Sequence, residues 1–335
     1  MKKDIGIDLG TSNTIIYMKS KGIVLDEPSV VAIDKETGSV LAVGNAAKDM
    51  VGKTPDEILA VYPLKDGVVA DFEAAYSMLK YFIKKAYRKT RIIKPKVIIN
   101  VPCNVTGVER RAVEDAAISA GAREVYLIES PMAAALGSDL PVSDAIASMI
   151  VDIGGGATEI AVISLGGIVT SKTIRIAGDT LCDDIIRFVK TNHNLVIGRP
   201  TAEIIKITIA TAIENGTFEN IDVKGRDTVS GLPKNIVLNS NEVCTAIKNS
   251  ILKIVDTIKV TLEQTPPELS ADILERGIVV SGGSSSLNGI CSLIEEETGM
   301  KVLVSSNPRE AVALGIGNVL DKFNSTKREL LIKHK

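Results

Sequence analysis

A chain of 335 residues, 45% hydrophobic and 24% charged, is long enough for two domains with separate cores and has an ordinary globular balance. A net charge of −2, 3% aromatics and no tryptophan offer neither the basic footprint nor the stacking platform that nucleic acid requires, so nucleic acid is excluded as a partner. Only two histidines are present, and the four cysteines (Cys103, Cys182, Cys244, Cys291) lack CxxC spacing, which excludes a histidine triad and a zinc or redox motif and reads as buried thiols in a reducing compartment.

Met1-Lys2-Lys3-Asp4 leads directly into an apolar strand with no stretch of signal-peptide character. No apolar run approaches the roughly 18 residues that span a bilayer, so the expected location is cytoplasmic or peripheral. Residues 5–33 read as strands, with turns at Gly10–Asn13 and Ser20–Gly22 and a break at Glu27-Pro28. Gly and Pro punctuate 34–67, which reads as a small insertion. Helical spacing runs from Asp71, a cap, to Thr90 through Phe72, Ala75, Tyr76, Leu79, Phe82, Ile83 and Ala86. Lys96–Val101 is a buried strand, Thr106-Gly107-Val108-Glu109 a capping box opening a helix that ends at Gly121, and Val125–Ile128 the next strand. This strand, helix, strand alternation is the α/β pattern. After a connector at Leu140–Asp144, where a domain boundary is placed, helices are expected over 180–190 and 201–214, with His193 in a polar loop. A strand-like stretch over 216–238 and a long helix over 241–263 follow.

Two glycine turns stand out. Met149–Ile163 places Gly154, Gly155 and Gly156 between β-branched runs, with Asp152 just before them. Ile5–Ile16 does the same with Asp8, Gly10, Thr11, Ser12 and Asn13. From each aspartate, glycine follows at +2 and threonine at +6 (Thr14 and Thr158). Glycine serves a turn by reaching positive φ and by letting a ligand approach the backbone, and successive N–H groups there make an anion site. A carboxylate at the strand end can hold Mg²⁺, directly or through water. The alternative for either aspartate is a turn cap. The two motifs are a domain's length apart, which reads as two related domains sharing one cleft. Gly277–Gly289 adds a strand running into a second kind of glycine turn (Gly282, Gly283, Ser284, Ser285), and Ile128–Gly137 a small-residue helix entered through Pro131.

In this order the motifs resemble the actin, Hsp70 and sugar-kinase superfamily, with Ala311–Leu320 similar to its second connecting helix. Within it, Thr265-Pro266-Pro267-Glu268-Leu269, Arg175–Asp179 and Glu27–Val31 resemble the bacterial actins of the MreB family, the rod-shape-determining proteins. The resemblance implies an α/β, actin-like two-domain ATPase fold, two duplicated RNase H-like domains with a nucleotide cleft between them. Domain I would be 1–141 with 310–335, carrying the insertion at about 34–67. Domain II would be 142–309, with an insertion at about 182–244. It implies ATP, or GTP, with Mg²⁺ organised by Asp8 and Asp152 through water. Gly10, Thr11, Ser12 and Asn13 would cradle the phosphates from one side and Gly154, Gly155 and Gly156 from the other. Gly282, Gly283, Ser284 and Ser285 would make room for adenosine, and Glu203 and Lys206 would contact ribose and base. A surface ion pair is the plainer reading of those two. Partners implied are further copies of the chain in filaments, an anionic membrane surface, and membrane proteins of cell shape and cell-wall synthesis. The other functions of the superfamily, a small-molecule kinase or an Hsp70-like nucleotide switch, are the alternatives. No catalytic Asp for a sugar is evident, and no substrate-binding domain follows the second connecting helix.

Two features depart from or sharpen the pattern. Family members usually read Glu-Glu-Pro and Gly-Gly-Gly-Thr-Thr-Glu; here the stretches are Glu129-Ser130-Pro131 and Gly156-Ala157-Thr158-Glu159. The polar groups credited with orienting the attacking water are replaced, so hydrolysis is expected to be weak, with Glu129, Ser130 and Thr158 as the remaining catalytic candidates. Lys84–Lys96 holds seven basic residues and no acidic one, with Ile92-Ile93 near its tip. By resemblance that tip is a membrane anchor; the alternative is a basic helix end matched to its dipole over two inward-packed isoleucines.

Overall fold

The computed structural model describes residues 4–87, 94–214, 219–322 and 331–332. Two five-stranded sheets dominate it. In the first, Ile5–Leu9, Asn13–Met18 and Gly22–Pro28 form an antiparallel meander, and Lys96–Val101 then Glu124–Glu129 extend it in parallel from the free side of Ile5–Leu9. In the second, Ser148–Ile153, Thr158–Ser164 and Gly167–Ile174 form the meander, and Ile278–Ser281 then Val302–Val304 extend it in parallel. Strand order and direction are the same in both sheets. The repeat of two short motifs in the sequence thus coincides with a repeat of topology.

The central strands Ile5–Leu9, Ser148–Ile153 and Thr158–Ser164 are buried along their whole length. A strand covered on both faces selects a largely apolar run rather than an alternation, and these segments read so except for polar residues at their ends and beside the glycine turns. One core fills the outer face of the first sheet beneath helices Phe72–Ala86 and Gly107–Ser119, centred on Met78, Leu79 and Phe82. A second fills the outer face of the other sheet with Ile185, Ile205, Ile247, Ile251 and Ile254 from its helices. A third lies between the sheets and contains helices Ser130–Gly137 and Ala311–Asp321, which cross there. Their crossing is closed by glycine: a Cβ on Gly137 would lie 1.8 Å from the Ala311 carbonyl oxygen, and one on Gly315 1.8 Å from that of Ala133.

Each large sheet carries a smaller one. Val40–Val43, Val31–Asp34 and Ile58–Val61 form the first, and Leu195–Val196, Asn220–Asp227 and Pro233–Asn239 the second. Asp71 caps its helix through the Ala74 N–H, and the Thr106–Glu109 capping box is formed. Three readings change. His193 lies in the last turn of Gly178–His193, which Asn194 ends in the left-handed conformation, and its Nε2 is 2.8 Å from Glu242 Oε1. The helix expected over 201–214 is Arg199–Ile209, because the chain leaves it to hydrogen-bond Asn288 through the Ala212 N–H. Cys182 and Cys244 are buried, but Cys103 and Cys291 only partly so. Among the described residues no helix is long and apolar enough to cross a membrane.

Candidate functional site

The two glycine turns meet face to face. Both are four-residue loops, Gly10–Asn13 between the Leu9/Thr14 pair and Gly154–Ala157 between the Ile153/Thr158 pair. Both close with the same hydrogen bond, Gly10 N–H to Asn13 O and Gly154 N–H to Ala157 O, each 3.1 Å. None of the glycines in these loops has positive φ. Close approach is what requires them: a Cβ on Gly155 would lie 2.0 Å from Ser12 Oγ, and one on Gly156 2.5 Å from Thr11 Oγ1. Only glycine lets the two loops pack at this distance.

They border a cavity of about 670 Å³ between the sheets. Asp8, Gly10, Thr11, Ser12, Asn13, Asp152, Gly154, Gly155, Gly156, Glu203, Lys206, Gly282, Gly283 and Ser284 all line it, as does Ser130. Ser284 Oγ donates to Gly154 O at 2.7 Å, tying the third turn to the second loop. Gly282 sits at φ 84° with its α-carbon against the backbone of Ile153, which excludes any side chain there. The helix Gly178–His193 starts against the same loop, with Gly178 and Asp179 N–H donating to Gly154 and Gly155 carbonyls.

Lys206 is not a surface residue. Its ammonium is 2.7 Å from Glu203 Oε2 and donates to Gly178 O at 3.0 Å, with only 13% of its side chain exposed. Burial alone would raise the Glu203 carboxyl, but Lys206 leads the opposing contributions, with Cys182 Sγ–H donating at 3.0 Å, and the net shift is downward. A charged, oriented pair is thus held at one end of the cavity. Of the two, Lys206 is largely buried while 42% of the Glu203 side chain is exposed, so the pair sits at the edge between cavity and solvent.

Other candidates are not brought to the cavity. Thr158 is fully buried and its hydroxyl donates to Ile176 O at 2.7 Å. Ser285 is buried and donates to Gly282 O; Ser286, Leu287 and Asn288 face the cavity instead. Glu129 precedes the helix Ser130–Gly137, half-buried, with its charge opposed by Arg110. Ile92 and Ile93 lie outside the described residues. Of the basic stretch leading to them, Lys85 pairs with buried Glu27, and Lys96 with Glu124 at 2.9 Å, which holds the Glu124 carboxyl down to about 2. Among the described residues of this stretch, Lys85 and Lys96 are therefore partnered.

Sequence reasoning missed Asp26, Asn45, Lys48, Asn100, Glu159 and Arg309, all of which line the cavity. Arg309 and Asp26 form an ion pair at 2.8 Å between the segment before Ala311–Asp321 and the first sheet. Asn100 and Glu159 carried a signal: Asn100 interrupts the apolar run of Lys96–Val101, and Glu159 is the one charged residue of the fully buried strand Thr158–Ser164. Lys48 and Arg309 carried none, since their place depends on how two distant segments converge.

Three carboxyls are buried here. Burial first, and then the charge of Asp152, pushes Asp8 up to about 8, against a hydrogen bond from Asn100. Burial pushes Asp152 up to about 6, against the Ser281 hydroxyl, which donates at 2.8 Å. Burial, then Asp152, pushes Glu159 up to about 8. Burial and mutual proximity thus disfavour the charged forms of these carboxyls, and a nearby cation would favour them. Among the described residues no three Asp, Glu, His or Cys side chains form a metal-binding group. The donor set thus suits Mg²⁺, which takes one or two carboxylates and fills its shell with phosphate and water, and does not suit a closed protein cage.

A pH effect follows. A carboxyl raised in the folded state binds its proton more tightly than in the unfolded chain, so its contribution is fully present below about pH 4 and is lost as pH rises through its folded value. The nucleotide-free protein should lose stability between about pH 4 and 8, the window set by Asp8 and Glu159. Asp8→Asn should flatten that decline and raise the melting temperature at pH 8 by a few degrees, read by differential scanning fluorimetry from pH 5 to 9. An unchanged profile would mean that Asp8 is ionised at no cost.

Comparisons with known proteins bear on the family and the fold. The chain is 50% identical to the cell shape-determining protein Mbl of Bacillus subtilis, over 98% of this chain and 99% of that one. It is 49% identical to the cell shape-determining protein MreB of Escherichia coli, over 96% and 94%. The crystal structure of MreB5 of Spiroplasma citri bound to AMPPNP superposes with a TM-score of 0.90 at 35% identity, covering 96% of this chain and 97% of that one. A MamK double helical filament shares the fold, with a TM-score of 0.78 at 23% identity, over 95% and 98%. The MreB/Mbl family model matches residues 2–328, and the chain, an actin-like two-domain protein, belongs to that family.

Proposed function

We propose that this protein is an ATP-binding bacterial actin that polymerises on the inner face of the cell membrane and directs cell shape, working with membrane proteins of cell-wall synthesis. The observation that carries the reading is the pair of matching four-residue loops, one from each sheet, facing each other across a cavity lined by buried carboxylates. Relatives bearing the names Mbl and MreB are cell shape-determining proteins, Spiroplasma citri MreB5 is bound to AMPPNP in one structure and ADP in another, and MamK forms a double helical filament. These support nucleotide binding and self-assembly in this chain.

In this reading residues 1–141 with 310–335 form one domain and 142–309 the other, each with its small sheet as an insertion. Gly10–Asn13 and Gly154–Gly156 present N–H groups to the phosphates. Glu203 and Lys206 contact the ribose and base, and Gly282–Ser284 border the adenosine; GTP is the alternative nucleotide. Asp8 and Asp152 hold Mg²⁺ through water, and the ion supplies neutralisation of phosphate charge. Hydrolysis is weak because Ser130 and Ala157 stand where the family has Glu and Thr.

The membrane contact rests on the sequence of residues 84–96. Two isoleucines inserted fully are worth about 3–6 kcal/mol, reduced by association entropy. Lys and Arg near an anionic leaflet add about 1 kcal/mol each within a Debye length. One protomer binds weakly, and a filament multiplies the effect through effective concentration. Electron microscopy of the purified protein on anionic lipid, with and without ATP, is the test: filaments on the lipid with ATP are expected. Ile92→Ser/Ile93→Ser should abolish sedimentation with liposomes at equal polymer level. Undiminished pelleting would place those isoleucines in the protein interior.

A further inference from the structure

Glu159 is a buried acidic group of the cleft to which the nucleotide-binding reading gives no role. It stands opposite Asp152 in the hairpin register, is 6% exposed, and lines the cavity. Its Oε1 accepts from the Cys103 N–H at 3.1 Å. Its second anchor is a relay from the first sheet. The Leu9 N–H donates to Asn100 Oδ1 at 2.7 Å, which fixes the amide orientation. Asn100 Nδ2 then donates to Ser130 Oγ at 3.2 Å. With its oxygen accepting from Asn100, the Ser130 hydroxyl has its proton left to give, and it acts on the Glu159 carboxyl in the lowering direction, against burial. The groups acting on the Glu159 charge are Asp152, Glu129, the Cys103 N–H and the Ser130 O–H, with no cation among them. Glu129, the neighbouring carboxylate in sequence to Ser130, does not line the cavity and is answered by Arg110.

We propose that in this chain Glu159 accepts the proton of the attacking water during hydrolysis of the terminal phosphate, and that Ser130 is the positioning residue that holds its carboxylate. This rests on the nucleotide-binding reading above. Glu159 takes the proton as the water oxygen bonds to the γ-phosphorus. The bond from that phosphorus to the β,γ-bridging oxygen breaks, its electron pair leaves with the diphosphate, and Glu159 returns the proton to solvent. Geometry is what selects Glu159: it lines the cavity on the same strand pair as Asp152, and its Oε1 is fixed by the Cys103 N–H, so its carboxylate is held where a general base for water is needed. The relay also gives the replacement of a carboxylate by Ser130 a physical meaning. A short hydroxyl at 130 can bridge Asn100 to Glu159, donating to it, where a second carboxylate would repel it.

The test compares Glu159→Gln, Glu129→Gln and Ser130→Ala in the full-length protein. Three quantities are read: single-turnover phosphate release, affinity for a fluorescent ATP analogue, and melting temperature without nucleotide. Glu159→Gln should slow phosphate release by about 10²–10⁴-fold, leave nucleotide affinity within about threefold, and raise the melting temperature, because Gln still accepts from the Cys103 N–H while a buried charge is removed. Ser130→Ala should slow release by about tenfold at unchanged affinity, and Glu129→Gln should keep the wild-type rate. Loss of rate in Glu129→Gln with retention in Glu159→Gln would overturn the proposal. So would a parallel loss of nucleotide affinity and rate in Glu159→Gln, which would make the residue part of the binding pocket. Wild-type protein that binds ATP and never hydrolyses it would overturn this inference while leaving the nucleotide-binding reading intact. Failure to bind ATP at all would overturn both.

Discussion

Gly315→Ala is expected to destabilise the protein by about 4 kcal/mol or more, enough to abolish a cooperative melting transition at ordinary temperatures. The added Cβ would lie 1.8 Å from the Ala133 carbonyl oxygen and 2.9 Å from the Gly137 N. Both obstacles are backbone, so neither a rotamer change nor a smaller side chain on the facing helix relieves the clash. Ala133→Gly should therefore not rescue it. The helices Ser130–Gly137 and Ala311–Asp321 would have to separate, and they are the centre of the core between the two sheets. Gly137→Ala meets the Ala311 carbonyl in the same way and should behave alike. Gly107→Ala is the control. It opens the helix Gly107–Ser119 with nothing within 4 Å of its Cβ and no positive φ, so it should be neutral or slightly stabilising. Melting curves of the three variants decide the matter, and a wild-type transition in Gly315→Ala would show that the crossing has slack.

The second large effect is expected at Gly155. Gly155→Val should weaken ATP binding by at least about 100-fold, some 3 kcal/mol, with little change in the melting temperature of the nucleotide-free protein. The Cβ alone would stand 2.0 Å from Ser12 Oγ and 2.9 Å from Ser12 Cβ. Carbon atoms pack at about 3.5–4.0 Å, so the loops must part by roughly half an ångström to an ångström. The N–H groups they present then no longer converge on one phosphate chain. Because the clash is with a side chain, a second substitution should relieve it: Ser12→Gly removes the two nearest obstacles, and the next, the Ser12 N at 3.5 Å, is at ordinary contact distance from the new Cβ. Calorimetric titration of Gly155→Val and Gly155→Val/Ser12→Gly with Mg·ATP reads both. Wild-type affinity in the single variant, or no recovery in the double one, would count against the facing-loop geometry.

The two cases divide what is local from what is not. Strands, helix caps and the two glycine loops are dictated by neighbours within a few positions. Ile5–Leu9 and Ser148–Ile153 are mainly apolar, each interrupted by the aspartate of its motif, Asp71 and Thr106 precede helical periodicity, and an aspartate two residues before a glycine repeats with threonine at +6. These were legible, and with them the α/β class, the duplication and most of the cavity lining. The membership of Lys206 and Glu203 in that lining was legible only through resemblance, since an i, i+3 pair on a helix carries no mark of where the helix will lie.

What remained hidden depends on separation in the chain. Nothing near Gly155 states that Ser12 will face it, so the reason for the glycine was misread: close approach decides it, and φ does not. Thr158 looked like part of the chemistry, but strand register turns it inward to Ile176 O, because successive residues of a strand point to opposite faces. The same alternation puts Glu159 into the cleft. By itself, then, the sequence determined the elements, the repeat and the kind of ligand the loops suit. Only the tertiary structure decided which side chains face that ligand, because strand parity, helix crossing and the meeting of loops from two sheets are set by packing among residues distant in the chain.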